Sequence, residues 1–248
     1  VSGISITYLD FADDIALLSN DIEQARTLLR NVETECGKVG LKLNSNKTKA
    51  MFYNVLPQKI ETIEGKNIKQ AFVGDSGEQD FNYLGSWIES KDRDISVRKA
   101  MAWKALNKLG NIWKSNLSKE RRLQLFTSTV ESVLMYGSST WALTSTDEKR
   151  LDQTYTRMLR KVYNVTWRNK ISNKELYGKS EKLSSKIRRQ RLQLAGHVYR
   201  DQESPVHHLV TWIPRHGKRS RGRPTETYVD TLLRDTGLNN TNELEALS

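Results

Sequence analysis

The hydrophobic pattern of the chain changes its period near residue 90, and this change constrains the fold most. Before that point short apolar runs alternate with a period of two, as at residues 4–8, which is typical of β-strands. Beyond it apolar residues recur three and four positions apart, which is typical of amphipathic helices. We therefore predict an α+β fold, divided into a strand-containing region at 1–90, a helical region at 91–200 and a basic, partly irregular tail at 201–248.

The apolar pattern of the first region predicts the order strand, strand, helix, strand, in which the first two strands form a hairpin. The predicted elements are strands at 4–8 and 15–18, a helix that Asn20 caps and that Gly37 and Gly40 end, strands at 41–43 and 50–53, and an irregular or hairpin-like stretch at 57–80.

Apolar periodicity and capping residues predict four main helices in the second region. They are a helix with an apolar face of Met101, Ala105, Leu109 and Ile112, a helix capped by Ser118, a helix from about Asp147 to Val162, and a helix over about 181–200 that follows a capping box of Ser172 and Glu175.

The chain carries a formal net charge of +11, which lies in its second part. Residues 1–85 contain 9 Lys and Arg against 12 Asp and Glu, whereas residues 86–248 contain 31 against 17. Clustered positive charge attracts polyanions, although a merely soluble basic surface also explains this composition. The single Cys36 excludes an internal disulfide, and no apolar run approaches the roughly 20 residues that span a bilayer.

Two adjacent acids, Asp13 and Asp14, lie near the predicted hairpin tip. Neighbouring carboxylates repel each other unless a cation lies beside them, and Mg²⁺ prefers oxygen ligands of this kind. Two such ions could activate an attacking hydroxyl and stabilise a departing pyrophosphate. An Asp-Asp pair in a turn is also common as a solvated surface feature.

The residues around this pair resemble the catalytic turn of reverse transcriptases. Residues 8–18 read Tyr-Leu-Asp-Phe-Ala-Asp-Asp-Ile-Ala-Leu-Leu, with the Phe/Tyr-Ala-Asp-Asp turn between apolar strands. Residues 40–49, Gly-Leu-Lys-Leu-Asn-Ser-Asn-Lys-Thr-Lys, are similar to a segment of LINE-type, non-LTR retrotransposon enzymes, and Tyr-Leu-Gly at 83–85 is similar to the segment before their thumb. Leu-Ala-Gly-His-Val-Tyr-Arg at 194–200 and Gly-Lys-Arg-Ser-Arg-Gly-Arg-Pro at 217–224 resemble C-terminal parts of the same proteins.

The resemblance implies the downstream part of an RNA-directed DNA polymerase, with a partial palm followed by a helical thumb. It implies that Asp13 and Asp14 bind catalytic Mg²⁺ and that Lys47 orients or protonates the departing pyrophosphate. An ordinary exposed lysine after a turn explains Lys47 equally well. The implied partners are an RNA template, a DNA primer or target, and deoxynucleotides. The oligomeric state is not predicted.

The same resemblance implies that Tyr83, Leu84 and Gly85 contact the primer, although buried strand residues explain the first two almost as well. The family also needs an aspartate from an earlier strand, and only twelve residues precede Asp13. We therefore expect residues 1–248 to be inactive alone. The alternative is a non-catalytic nucleic-acid-binding fragment of such an element. A metal-dependent hydrolase is less favoured, because no nucleophile or base accompanies the acids.

Two clusters of cations are the predicted nucleic-acid contacts, with solvated charge runs as the alternative. They comprise Arg188, Arg189 and Arg191 on the fourth helix, and Lys218, Arg219, Arg221 and Arg223 in the tail. Binding through them should be independent of sequence and should weaken steeply with salt. Residues 215–223 could also act as a nuclear import signal, so we expect a nuclear location, or otherwise a cytoplasmic one.

The aromatic and histidine residues give weaker predictions. The tryptophans could stack on bases, but Trp103 and Trp113, which lie at helical spacing, are better explained as core or rim residues. The residues of these two types are Trp87, Trp103, Trp113, Trp141, Trp167 and Trp212, and His197, His207, His208 and His216. The histidines lack neighbouring cysteines, so no zinc site is predicted.

Overall fold

The computed structural model describes residues 6–53, 55–73, 81–88, 90–178, 180–210 and 226–245. The chain divides into two compact units, one of Ser2–Ser90 and one of Lys91–Ser248. Helices and small two-stranded sheets are both present, which confirms the predicted α+β class.

The first unit contains three strand pairs and one long helix. Its elements are β1 (Tyr8–Phe11), β2 (Asp14–Leu17), α1 (Ile22–Lys38), β3 (Lys49–Tyr53), β4 (Lys69–Val73), β5 (Asn82–Tyr83) and β6 (Ser86–Trp87). The pairs β1–β2 and β5–β6 are antiparallel, whereas β3 and β4 pair in parallel. The predicted hairpin between the first two strands is confirmed. Of the predicted strand at 4–8, positions 4 and 5 lie outside the described residues, positions 6 and 7 are not in a strand, and Tyr8 begins β1.

The small core of the first unit lies between α1 and the parallel strand pair. Leu29 of α1 is buried with Phe52 of β3 and with Ile60 and Ile68 of the connection. Hydrogen bonds fix the helix to the same connection, because Arg26 Nη2 donates to the carbonyl of Lys59 at 2.8 Å. The helix and the strand pair therefore form one layered unit.

Two sequence predictions for this unit are wrong, and a third is right only in part. Asp21, and not Asn20, caps α1, because its carboxylate accepts from the backbone N–H of Gln24 at 2.7 Å. Residues 41–43 are not a strand, since the chain there runs into a turn organised by Asn44. Within the stretch at 57–80 the predicted hairpin character is confirmed at 60–68, where Glu61 bridges Asn67 in antiparallel fashion. The prediction missed β4, which pairs in parallel with residues 20 positions earlier, so local alternation gave little sign of it.

In the described part of the second unit, all regular secondary structure is helical. Its helices are α2 (Lys91–Lys108), α3 (Gly110–Trp113), α4 (Lys119–Phe126), α5 (Ser132–Met135), α6 (Ser145–Val162), α7 (Asn173–Tyr177), α8 (Leu183–Arg200), α9 (Pro205–Val210), α10 (Tyr228–Thr236) and α11 (Thr241–Glu245). A π-helical turn at Thr127–Glu131 joins α4 to α5. None of the described helices has the length and apolar character needed to cross a membrane.

The predicted caps in this unit are confirmed. The Ser118 hydroxyl accepts from the N–H of Arg121 at the start of α4, and Ser172 with Glu175 forms the capping box of α7. These side chains satisfy N–H groups that have no partner within the helix.

The apolar core of the second unit surrounds α6. Five α6 residues are buried together with residues of α2, α4 and α8. The five are Leu151, Tyr155, Met158, Leu159 and Val162. The predicted buried face of α2 is wrong by one position, because Met101 is 46% exposed whereas Ala102 and Leu106 are fully buried. Trp113 is buried, which confirms its assignment to the core.

The π-helical turn places a carboxylate in this core. Glu131 is buried, and it accepts a hydrogen bond from the Tyr155 hydroxyl at 2.5 Å and from Lys186 Nζ at 2.7 Å. Burial and the contact with Glu131 raise the pKa of the Tyr155 hydroxyl well above its ordinary value. The tyrosine therefore stays protonated and donates permanently.

A second buried carboxylate, Asp235 of α10, pairs with two arginines of α8. Arg191 and Asp235 are both fully buried and form an ion pair, and Arg188 Nε lies 3.1 Å from the other carboxylate oxygen. The predicted role of Arg191 in nucleic-acid binding is therefore wrong for this structure, since a buried guanidinium held by a carboxylate cannot reach a phosphate.

We expect Asp235→Ala to destabilise the second unit by about 3–5 kcal/mol, because it leaves the Arg191 charge buried and uncompensated. Urea unfolding followed by tryptophan fluorescence measures this loss, since five of the six tryptophans lie in residues 91–248. Glu181→Ala is the matched control. It removes the partner of Arg189 from a pair that is half-exposed on both sides, so it should change stability by less than about 1 kcal/mol. Equal effects of the two variants would contradict the assignment.

A third carboxylate, Asp147, joins the start of α2 to the start of α6. It accepts from the Thr144 hydroxyl at 2.7 Å and from Lys91 Nζ at 3.0 Å. Burial raises the pKa of Asp147, but the hydrogen bonds from Thr144 and Lys91 outweigh it, so the net pKa is lowered. A lowered folded-state pKa stabilises the fold above the unfolded pKa, and this stabilisation is lost as pH falls through the folded value.

Asp147→Asn should therefore lower the free energy of unfolding at pH 7 by about 1–2 kcal/mol, through the weakened cap and the lost ion pair. The difference in unfolding free energy between the variant and the natural chain should shrink as pH falls below about 4, because Asp147 titrates there and an asparagine does not. Unfolding curves at pH 7 and pH 3 test this, and a difference that stays constant with pH would refute it.

Candidate functional site

The two adjacent aspartates lie at the tip of the β1–β2 hairpin. Phe11 pairs with Asp14 across the strands, so Ala12 and Asp13 form a two-residue turn. Both aspartates are exposed. Ala12 has a left-handed φ of 56°, a conformation that costs an L-residue about 1–2 kcal/mol. The turn therefore presents two carboxylates from a strained and closely defined backbone.

The strand register separates a third acid, Asp10, from Asp14. Residues paired directly across an antiparallel ladder lie on the same face, and faces alternate along each strand. Asp14 thus shares a face with Phe11, whereas Asp10 pairs with Ile15 and lies on the other face. Asp10 belongs to the strand and not to the carboxylate pair at the tip.

The hairpin exposes apolar side chains on both faces. Phe11 is 65% exposed on one face and Ile15 is 46% exposed on the other. Leu17, at the far end, packs against the core of the first unit. A two-stranded hairpin is at best marginally stable by itself. The exposed apolar residues therefore suit a hairpin that packs against further structure.

Lys47 lies exposed in a turn that Asn44 organises. The backbone N–H groups of Lys47 and Thr48 donate to the carbonyl of Asn44 at 3.0 and 2.9 Å, and the Thr48 hydroxyl donates to the same carbonyl at 2.9 Å. Sequence analysis missed the role of Asn44. The turn-forming tendency of asparagine before Ser-Asn-Lys-Thr is the signal that could have revealed it.

Residues 83–85 form the tight turn of the β5–β6 hairpin. Leu84 and Gly85 both have positive φ, at 48° and 81°, and Tyr83 pairs with Ser86 on either side. Positive φ at both central residues marks a type I′ turn, which favours Asn-Gly. A leucine at its first central position is therefore held against its own conformational preference.

The sequence is similar to known proteins both within the first unit and along most of the chain. Residues 2–88 match the family model described as reverse transcriptase (RNA-dependent DNA polymerase). The first unit is a reverse transcriptase segment. A transposon-derived protein of Caenorhabditis elegans, itself uncharacterized, is 29% identical to the chain over 246 residues, which cover 95% of the chain and 87% of that relative. No solved structure matches the chain significantly.

The reverse transcriptase segment contains the aspartate turn, the Lys47 turn and the hairpin of residues 83–85. The chemistry of Asp13 and Asp14 fits Mg²⁺, because this ion commonly takes one or two protein carboxylates and completes its shell with water and phosphate oxygens. Within the described residues, no group of three or more His, Cys, Asp or Glu is placed to hold a metal.

The arginines of α8 that the sequence predicts as nucleic-acid contacts have acidic partners in the structure. Arg188 is 45% exposed and lies near Asp235 and Glu148, and Arg189 is 56% exposed and pairs with Glu181. Both guanidinium groups still reach the surface, unlike Arg191. The second predicted cluster, which comprises Lys218, Arg219, Arg221 and Arg223, lies outside the described residues.

The strained turn at Leu84 gives a test of the reverse transcriptase segment. Leu84→Asn should stabilise the β5–β6 hairpin by about 0.5–1 kcal/mol, because asparagine tolerates the left-handed conformation. Hydrogen exchange at the amides flanking the turn should then slow by about two- to fivefold. Gly85→Ala is the opposite control, since its new Cβ at φ 81° should accelerate exchange. If Leu84→Asn accelerates exchange as well, strain is not what the leucine contributes.

Proposed function

We propose that the chain is the downstream part of an RNA-directed DNA polymerase of a non-LTR retrotransposon. The Phe-Ala-Asp-Asp turn, presented at the exposed tip of a hairpin within the matched residues 2–88, carries this proposal. The similarity to a transposon-derived protein extends over 95% of the chain and so includes the helical unit. Both parts therefore fit one element.

In this proposal Asp13 and Asp14 contribute part of the ligand set for catalytic Mg²⁺, which activates the primer hydroxyl and stabilises the pyrophosphate. The left-handed Ala12 aims the turn, and the β1–β2 ladder fixes Asp14 on the face opposite to Asp10. Lys47, exposed on its hydrogen-bonded turn, is the proposed donor to the departing pyrophosphate. Residues 83–85 hold the primer end on a turn that cannot easily relax.

The second unit supplies the proposed contacts to the nucleic-acid backbone. Residues 86–248 contain 31 Lys and Arg against 17 Asp and Glu, and this excess favours a polyanion. The same observation favours a second candidate function, a nucleic-acid-binding fragment without catalysis. An aspartate-bearing strand encoded in frame before Val1 favours the polymerase, and a start codon close to Val1 favours the binding fragment. Nuclear import through residues 215–223 belongs to either proposal.

Primer extension on an RNA template with Mg²⁺ tests the polymerase. We expect no synthesis by residues 1–248 alone, because two carboxylates do not complete a two-ion site. A chain extended upstream by its natural residues should be active. In that chain Asp13→Asn should lower the rate by more than about a hundredfold, since even residues that only support a metal ligand are worth about 10–100-fold.

Asp10→Asn is the matched control for this experiment. It removes one exposed carboxylate from the same hairpin, on the face opposite to Asp14, and should leave the rate within about threefold of the natural chain, as for a surface substitution away from the chemistry. Synthesis by residues 1–248 alone, or full activity of Asp13→Asn, would refute the proposed site.

A further inference from the structure

The loop between α6 and α7 exposes a tryptophan almost completely. Trp167 is 83% exposed, the highest value among the large hydrophobic side chains that the structure describes, whereas Trp113 and Trp141 are 1% and 3% exposed. Moving a side chain of this size out of water and into a packed core is strongly favourable. The aromatic ring of Trp167 is therefore open to contact with a ligand.

Hydrogen bonds hold this tryptophan on a defined turn. Thr166 donates from its backbone N–H and its hydroxyl to Asn169 Oδ1 at 2.7 and 2.8 Å, and Trp167 lies between them. Arg160 Nη2 donates to the carbonyl of Ile171 at 3.1 Å and so fixes the end of the loop to α6. A side chain on a fixed turn loses less freedom on binding than one on a loose loop.

Left-handed residues flank the same turn, and of the two Lys170 is strained whereas asparagine at 164 tolerates the conformation. The described residues include four non-glycine residues with positive φ. Two of them, Ala12 and Leu84, lie in the candidate polymerase site, and the other two, Asn164 and Lys170, flank Trp167 on either side. Residues in such conformations concentrate at functional sites, because the surrounding structure must hold them there.

The sequence around Trp167 is rich in cations. From Gln153 to Lys174 the sequence contains six Lys and Arg and no Asp or Glu. Arg168 lies over one face of the Trp167 ring, 5.5 Å from its centre. Within the described part of the chain, Lys170 and Lys174 form no ion pair, in contrast to the arginines of α8.

An open groove of about 590 Å³ begins where this loop meets α7. Lys149, Lys174 and Lys182 line it together with polar side chains and with one acid, Asp152, whose carboxylate accepts hydrogen bonds from Ser184. No ion pair within the described residues involves any of the three lysines. The groove is thus suited to phosphate groups, which Lys contacts as a mobile point charge.

We infer that Trp167 stacks on a base of a single-stranded nucleic acid whose phosphates contact Lys170, Lys174 and the groove beyond them. This inference rests on the nucleic-acid binding in the proposed function and gives it a location. An aromatic platform with cations beside it is how proteins hold single strands without reading sequence. Bases in a duplex are stacked on their neighbours and do not offer a free face.

The test measures the affinity of the whole chain for a labelled single-stranded oligonucleotide, an abasic oligonucleotide of equal length and a duplex, by fluorescence anisotropy. Trp167→Ala should weaken binding of the first by about five- to 150-fold, the range for one base–aromatic stack. It should leave binding of the other two unchanged. Trp167→Phe should retain most of the affinity, because it keeps an aromatic face.

Two further variants separate stacking from charge and from general damage. Lys170→Ala with Lys174→Ala should flatten the dependence of log affinity on log salt by about 1.4 for the single strand, as two phosphate contacts do. Leu209→Ala is the control, since it removes another exposed apolar side chain of the same unit, and it should change nothing.

The outcomes distinguish this inference from the function on which it rests. If the natural chain binds no nucleic acid, the proposed function fails. If it binds but Trp167→Ala weakens all three ligands equally, or none, the stacking site is refuted. If Trp167→Ala changes only the sedimentation of the protein alone, the tryptophan is a self-association contact and the inference is overturned.

Discussion

The side chain of Asp235 on α10 is fully buried against α8, where it forms ion pairs with Arg191 and Arg188. A buried carboxylate is costly unless its charge is compensated, so this pairing holds Arg191 in the interior of the unit and keeps Arg188, which is 45% exposed, beside it. Glu131 does the same with Lys186, and Glu181 pairs with Arg189 at the surface. The acids thus decide which cations remain for a polyanion.

Within the described residues, no ion pair involves the lysines near the loop that carries Trp167 and in the groove beside it, namely Lys149, Lys170, Lys174 and Lys182. A basic sequence segment therefore does not by itself mark a basic surface. The cations of α8 mostly form ion pairs with acids of the same unit. The stretch from Gln153 to Lys174 contains no acid, and there Arg160 and Lys161 donate instead to a backbone carbonyl and to an amide oxygen.

Residues with left-handed backbone conformations occur in both candidate sites. Ala12 and Leu84 hold left-handed conformations in the reverse transcriptase segment, and Asn164 and Lys170 hold them around Trp167. The conformation costs Ala12, Leu84 and Lys170 about 1–2 kcal/mol each, whereas asparagine tolerates it. It persists at these three residues only where neighbouring contacts define it. At the aspartate turn the ladder between β1 and β2 provides that definition, and at Trp167 the bonds between Thr166 and Asn169 provide it.

The sequence determined the features that depend on neighbouring residues. The aspartate hairpin, the caps at Ser118 and Ser172 and the helical period of α6 and α8 follow from local hydrogen bonding and from the 3.6-residue repeat. The motif Phe-Ala-Asp-Asp gave the family of the first unit, because its acids and flanking strands lie within a few residues. The nucleic-acid contacts and the role of Lys47 stay predictions.

Tertiary structure decided what depends on residues far apart in sequence. The parallel pairing of β3 with β4, the burial of Arg191 against Asp235 and the exposure of Trp167 each involve partners, or the lack of burying neighbours, that no local pattern specifies. The burial of Ala102 in place of Met101 shows the same limit on a helix with a weak apolar face. Periodicity gives the element, but only packing chooses which side of it leaves water, because burial is a property of the assembled neighbours.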